Sequence, residues 1–133
     1  MVREHELFHG AALLKLISSS GTAVEIKPFA HLAGKSSYVV NGKIGIYIKH
    51  SALRMSPWSF TFQRVHQDEL TQMEKACASV FLLLVCETDG IVALSGQEIK
   101  TLLDLNNAAA QWISAKRANT TVLLIPQATR ASR

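Results

Sequence analysis

Cysteine is scarce in this chain. Cys77 and Cys86 are the two in 133 residues, and they lack CxxC spacing. That excludes a disulfide framework and a cysteine-built metal centre, and points to two small hydrophobes in a reducing compartment. The opening "MVREHELFHG" has no apolar h-region, so no signal peptide is expected. No apolar run approaches the roughly 18 residues that span a membrane. A soluble cytoplasmic protein without a membrane partner is the expectation. Aspartate is missing before Asp68, which removes the commonest Mg²⁺ ligand from the first half of the chain. There is no glycine loop of the kind that cradles phosphate, no internal repeat, no low-complexity tract and no linker.

What is present suffices for a core. Hydrophobic residues make up 48% of the chain and charged residues 18%, so the chain is foldable rather than disordered. One domain over residues 1–126 is expected, with 127–133 as a frayed tail. The formal net charge of +4 permits an anionic partner without requiring one.

The pattern predicts an opening helix in "REHELFHGAALLKLISSSG", with Leu7, Ala11, Leu14 and Ile17 inward and Phe8 and Leu13 widening the stripe. "TAVEIKPF" reads as a short strand stopped by Pro28. In "YVVNGKIGIYIKHS", Asn41-Gly42 between alternating apolar runs signals a hairpin. A two-residue turn sets Val40 against Lys43, Val39 against Ile44 and Tyr38 over Gly45. Ile44, Ile46 and Ile48 then share the core face. Gly45, Tyr47 and Lys49 share the other, so the lysine stands outside the core.

"WSFTF" alternates as an added strand, and its aromatics Trp58, Phe60 and Phe62 form one packed face. "QRVHQDELTQMEKA" reads as a helix with Val65, Leu70, Met73 and Ala76 inward. "SVFLLLVC" has the continuous apolarity of a central strand. "IVALS" follows, and Ser95 with Glu98 makes a capping box for "GQEIKTLLDL". The end reads as a hairpin of "WISAK" with "TVLLI", a helix followed by a strand being the alternative. The whole is an α/β domain, a central mixed sheet flanked by helices.

Helix, three-strand meander, helix, strand, with "YIKHS" placing Lys49 and Ser51 on the third strand, resembles the PD-(D/E)xK nuclease-like fold. The resemblance implies a restriction-endonuclease-like core, αβββαβ, over roughly residues 4–95. It implies Mg²⁺-dependent phosphodiester chemistry with Lys49 in the site, because the metal activates water and neutralises phosphate. Tyr47 stands where the family carries an acid, and Asn41 where it carries the upstream aspartate. An amide and a phenol hold Mg²⁺ poorly, so binding without cleavage is the expectation. Glu25-Ile26-Lys27 is a literal acid-x-lysine on a strand. Glu25 and Lys27 therefore join Lys49 as candidate catalytic residues, and Glu6 and Glu25 are the candidate metal carboxylates. The competing reading of Glu25 and Lys27 is a solvated charge pair.

Two other functions compete. "HELFH" is a formal HExxH, in which His5 and His9 can share a Zn²⁺ on one helix face with Glu6 as general base. That small zinc hydrolase would need a third ligand from afar, Glu25 for example, and lacks an upstream strand to hold a peptide. The other is a non-catalytic interaction protein, with a homodimer as one form. For a DNA or RNA backbone, Lys43, Lys49 and Arg54 around the hairpin and Lys116 and Arg117 near the end are the candidate phosphate contacts. His31, His50 and His66 are scattered and read as structural or solvated.

Overall fold

The computed structural model describes residues 1–29, 36–51, 57–87, 90–105, 109–118 and 121–128, and side chains as far as Lys116. In chain order the elements are α1 (Glu4–Ser20), β1 (Ile26–Pro28), β2 (Ser37–Val40), β3 (Ile44–His50), β4 (Trp58–Phe62), α2 (Arg64–Ala76), β5 (Ser79–Cys86), β6 (Gly90–Ser95), α3 (Gly96–Leu102), β7 (Gln111–Ala118) and β8 (Thr121–Ala128). The fold is α/β with a mixed central sheet. That five-stranded sheet runs β1-β2-β3-β5-β6, and a three-stranded sheet runs β4-β7-β8. Strands β1 to β3 form an antiparallel meander; β5 then lies parallel to β3, and β6 closes the other edge antiparallel. A parallel neighbour needs a crossover connection, which β4 and α2 supply.

The local signals act as expected where one residue pair decides them. Ser95 accepts the Glu98 N–H at 3.3 Å and the Ser95 N–H reaches Glu98 Oε1 at 2.9 Å, so α3 starts there. α1 ends at Gly21, whose φ of +73° is the left-handed conformation that glycine adopts most readily. β5 is buried along nearly its whole length because both its faces are covered. The terminal hairpin forms, and β8 runs to Ala128, two residues into the segment expected as tail. β1 ends at Pro28, as the sequence pattern predicts, and as an edge strand it bears the missing N–H there. β4 joins the second sheet instead of extending the first.

The layers explain three departures from the sequence pattern. First, the central sheet is covered on both faces. α1 covers Val40, Ile46, Ile48, Leu83 and Val85. The second sheet, α2 and α3 cover Tyr47, Leu82, Leu84 and Leu94 together with Trp58, Phe60 and Phe62. Tyr47, expected outside, is therefore a core residue, and Lys49 lies half-buried on that same inner face. Second, α1 is turned relative to its expected stripe. Phe8, His9, Ala12, Leu13 and Leu16 pack inward, while Leu7, Leu14 and Ile17 are exposed at 62%, 63% and 48%. Third, α2 turns Gln67, Leu70 and Met73 inward and leaves Val65 exposed.

The hairpin turn is tight but its register differs. Asn41 and Gly42 take φ of +53° and +69°, and the Lys43 N–H reaches the Val40 carbonyl at 3.1 Å. Lys43 is then an extra residue, so Val40 pairs with Ile44, Val39 with Gly45 and Tyr38 with Ile46. Tyr38 thus faces α1 and does not cover Gly45. α2 does: a Cβ on Gly45 would lie 2.9 Å from Met73 Cε and 3.1 Å from Cys77 Sγ. The ends of the Met73 and Cys77 side chains fill the space that a side chain at 45 would take.

Candidate functional site

The side chains with unusual chemistry collect at the carboxyl end of β3. Two sit on the strand's inner face at period two, Tyr47 and Lys49. Their partners come from α2 and from the end of β4. The Tyr47 hydroxyl donates to Glu69 Oε1 at 2.5 Å. The Lys49 Nζ stands 5.2 Å from the centre of the Phe62 ring, a cation–π contact. Burial lowers the Lys49 ammonium to about 8, and the Glu69 carboxylate opposes the fall. Lysine at that value still carries its proton at neutral pH. Burial, then the Glu69 bond, pushes Tyr47 far above the usual tyrosine range, so it stays a hydrogen-bond donor.

His66 completes this side. Its Nδ1 accepts the Gln63 N–H at 3.1 Å, which leaves Nε2 with the proton. Burial, then the nearby Lys49 charge, lowers its pKa, with Glu69 again opposing.

A groove of about 270 Å³ opens at the same strand end, lined by His5, His9, Ser36, Ile48, Lys49 and His50. The first two histidines stand one turn apart on α1, with ring centres 5.4 Å apart. His50 comes from β3, stacked on Phe8 at 4.7 Å and 6.4 Å from the His9 ring. His9 is buried, and its Nδ1 shares a 3.0 Å hydrogen bond with the Tyr38 hydroxyl. Desolvation, then the His5 and His50 charges, holds His9 down to about 4. His50 is also lowered, mainly by burial, against the pull of Glu4, whose carboxylate oxygen lies 3.9 Å from its Nε2.

The residues expected in the site are placed as follows. Glu6 lies on α1, exposed, and its carboxylate accepts the Arg3 N–H at 2.7 Å, capping its own helix. Glu25 sits by the hairpin turn, where its N–H meets Asn41 Oδ1 at 2.9 Å and Asn41 returns an N–H at 2.8 Å. That end of the hairpin is about 20 Å from Lys49 along the strand. Asn41 is thus a turn residue far from Lys49. Glu25 and Lys27 form an exposed pair at 3.8 Å, the solvated alternative. Lys27 shares the inner face with Lys49, but two strands and four residues separate them, about 16 Å. Lys43 is exposed at the turn, about 20 Å from Lys49, and Lys116 is exposed on β7. Arg117 pairs through its backbone with Val122; its side chain and the whole of Arg54 lie outside the described residues, as does His31.

At the end of β3 the structure thus places Tyr47, Lys49 and His66 on the α2 side and His5, His9 and His50 on the α1 side, with Lys49 also lining the histidine groove. Glu6 lies on α1, close enough to raise the pKa of the Tyr38 hydroxyl after burial has done so; Glu25, Lys27, Lys43 and Lys116 lie elsewhere. Glu69 was not legible as a site residue. The available signal was His66 and Glu69 at i,i+3 on one helix face, obscured because Val65 looked like the inward position.

No helix among the described residues is long and apolar enough to cross a membrane. Compared with protein-family models, with curated proteins and with solved structures, the chain finds no match.

Proposed function

We propose that this domain is a nuclease-like protein that binds the phosphate backbone of nucleic acid at Lys49 without cleaving it. The observation that carries the reading is a half-buried lysine at the carboxyl end of a sheet strand, with a carboxylate, a tyrosine and a histidine around it. Carboxyl ends of strands are where open α/β sheets place their ligands. The order α1, meander β1 to β3, α2, β5 supports the restriction-endonuclease-like core that the resemblance implies. The acid beside the lysine comes from α2 as Glu69, rather than from the strand position that Tyr47 occupies. A partly desolvated ammonium gains from meeting an anion, since the pair restores what burial removed.

The donor set does not fit Mg²⁺. Glu69 already has one oxygen on Tyr47, Glu6 and Glu25 are remote, and Mg²⁺ requires near-octahedral oxygen ligation. Binding is the function proposed.

Fluorescence anisotropy of duplex DNA at several salt concentrations is the test. Binding should be sequence-independent and fall with salt at a slope of about −0.9 per phosphate neutralised. Lys49→Ala should weaken all sequences alike and reduce that slope by about one unit. Absence of binding at low salt removes this reading.

A second reading, a non-catalytic interaction protein, is favoured by one observation. Leu7, Leu14 and Ile17 leave an apolar stripe exposed along α1. One such helix can pair with its copy about a two-fold axis. Concentration-dependent dimerisation, abolished by Leu14→Glu, is its expected signature in sedimentation.

A further inference from the structure

The groove beside Lys49 has a chemistry of its own. Two histidines one turn apart on α1 and a third on β3 converge on it from two separate elements. We propose that His5, His9 and His50 bind one divalent transition-metal ion of the Zn²⁺ class, clamping the start of α1 to the end of β3.

Ring spacing comes first. Imidazoles sharing a tetrahedral ion at about 2.0–2.1 Å have ring centres about 5 Å apart. The His5–His9 pair, at 5.4 Å, is at that spacing, and the His9–His50 pair, at 6.4 Å, needs about 1 Å of closure. Among the described residues no three ligands are already closed on a point, so the ion would draw His50 in. His5 and His50 are only partly buried, which leaves room for that rotation.

The outer partners are the second observation. Metal-bound histidines usually commit their other ring nitrogen to a hydroxyl, carbonyl or carboxylate, which fixes the tautomer. His9 commits Nδ1 to the Tyr38 hydroxyl, which leaves Nε2 for an ion. His50 turns Nε2 toward Glu4 at 3.9 Å, which leaves Nδ1.

The site differs from a zinc hydrolase on "HELFH". The third ligand is His50 from β3, and Glu6 is engaged at its own helix start. Three imidazoles from two elements make a clamp, with the fourth position open to water.

The test uses the full chain, stripped with a chelator and titrated with Zn²⁺ by calorimetry and with Co²⁺ by visible absorption. One ion per chain is expected, with a thermal midpoint raised by several degrees on Zn²⁺ addition. His5→Gln and His50→Gln should each weaken binding at least tenfold, with circular dichroism confirming the fold. His9 is buried, so its loss can unfold α1. Tyr38→Phe serves instead: it removes one hydroxyl and should weaken Zn²⁺ about 10–100-fold. No stoichiometric ion, or affinity unchanged in both His5→Gln and His50→Gln, overturns the proposal. Zn²⁺ binding is read without nucleic acid, so its failure is separate from that of the Lys49 reading.

Discussion

A buried pair of glutamines offers the sharpest test of the packing argument. Gln67 on α2 is fully buried and Gln111 on β7 is 2% exposed. The Gln67 amide donates to the carbonyls of Phe62 at 2.9 Å and Ala109 at 3.0 Å. The Gln111 amide donates to Gln67 Oε1 at 3.2 Å and to the Asp104 carbonyl, and its oxygen accepts the Asp104 N–H at 2.9 Å. Two side chains thus tie the start of α2, the end of β4, the segment after α3 and the start of β7. Gln67→Leu keeps the volume but takes a partner from two carbonyls and from one Gln111 N–H. At about 1–3 kcal/mol for each buried group left unpaired, the loss is about 3–9 kcal/mol. That is a large part of a stability of about 5–15 kcal/mol. Gln111→Leu should also destabilise, because it takes one partner each from the Asp104 backbone N–H, the Asp104 carbonyl and the Gln67 oxygen.

The double variant loses the shared Gln67–Gln111 bond once rather than twice. Its cost should fall short of the sum of the singles by about 1 kcal/mol or more. Urea denaturation of the four proteins in the cycle measures this, with the m-value checking that the unfolding transition is unchanged. A Gln67→Leu protein within 1 kcal/mol of wild type refutes the account. So does a cycle whose terms simply add.

Gly45→Ala should cost no more than about 1 kcal/mol, because the new methyl meets the flexible end of Met73 at 2.9 Å and that end can turn aside; a loss above about 2 kcal/mol in urea would contradict this. Lys49 falls from 10.5 to about 8 in the folded state, so between those values the unfolded chain holds a proton that the folded one releases. Stability should therefore rise with pH across that window, by about 3 kcal/mol at about 1.36 kcal/mol per pH unit. Lys49→Met should abolish that rise and be the more stable protein at pH 7; parallel pH profiles for the two proteins from pH 8 to 10 would show that the lysine is not desolvated.

The features legible in the sequence are those that a few adjacent residues decide. Asn41-Gly42 adopts positive φ because those two residues tolerate it. Ser95 and Glu98 start α3 because their side chains close on their own backbone. Trp58, Phe60 and Phe62 share a buried face while Ser59 and Thr61 stay exposed, because the strand period is two. The apolar length of β5 marked a strand covered on both sides. Even so, one extra residue after the turn shifted the pairing that the hairpin signal implied.

Tertiary structure decided what each face meets. Alternation along β3 says that Tyr47 and Ile48 point apart; it cannot say that both directions lead into a core. α1 carries apolar residues around most of its circumference, so its sequence supports two facings, and packing on Ile46 and Ile48 chose the one with Leu14 outside. The same choice turned His9 toward Tyr38, and the strand end brought His50 beside it, from 41 positions further along the chain. Likewise Glu69 meets Tyr47 only because α2 packs on the same face of the sheet, from 22 positions further along the chain. Spacing along a chain specifies which side chains share a face; which distant faces meet depends on how the layers fit together.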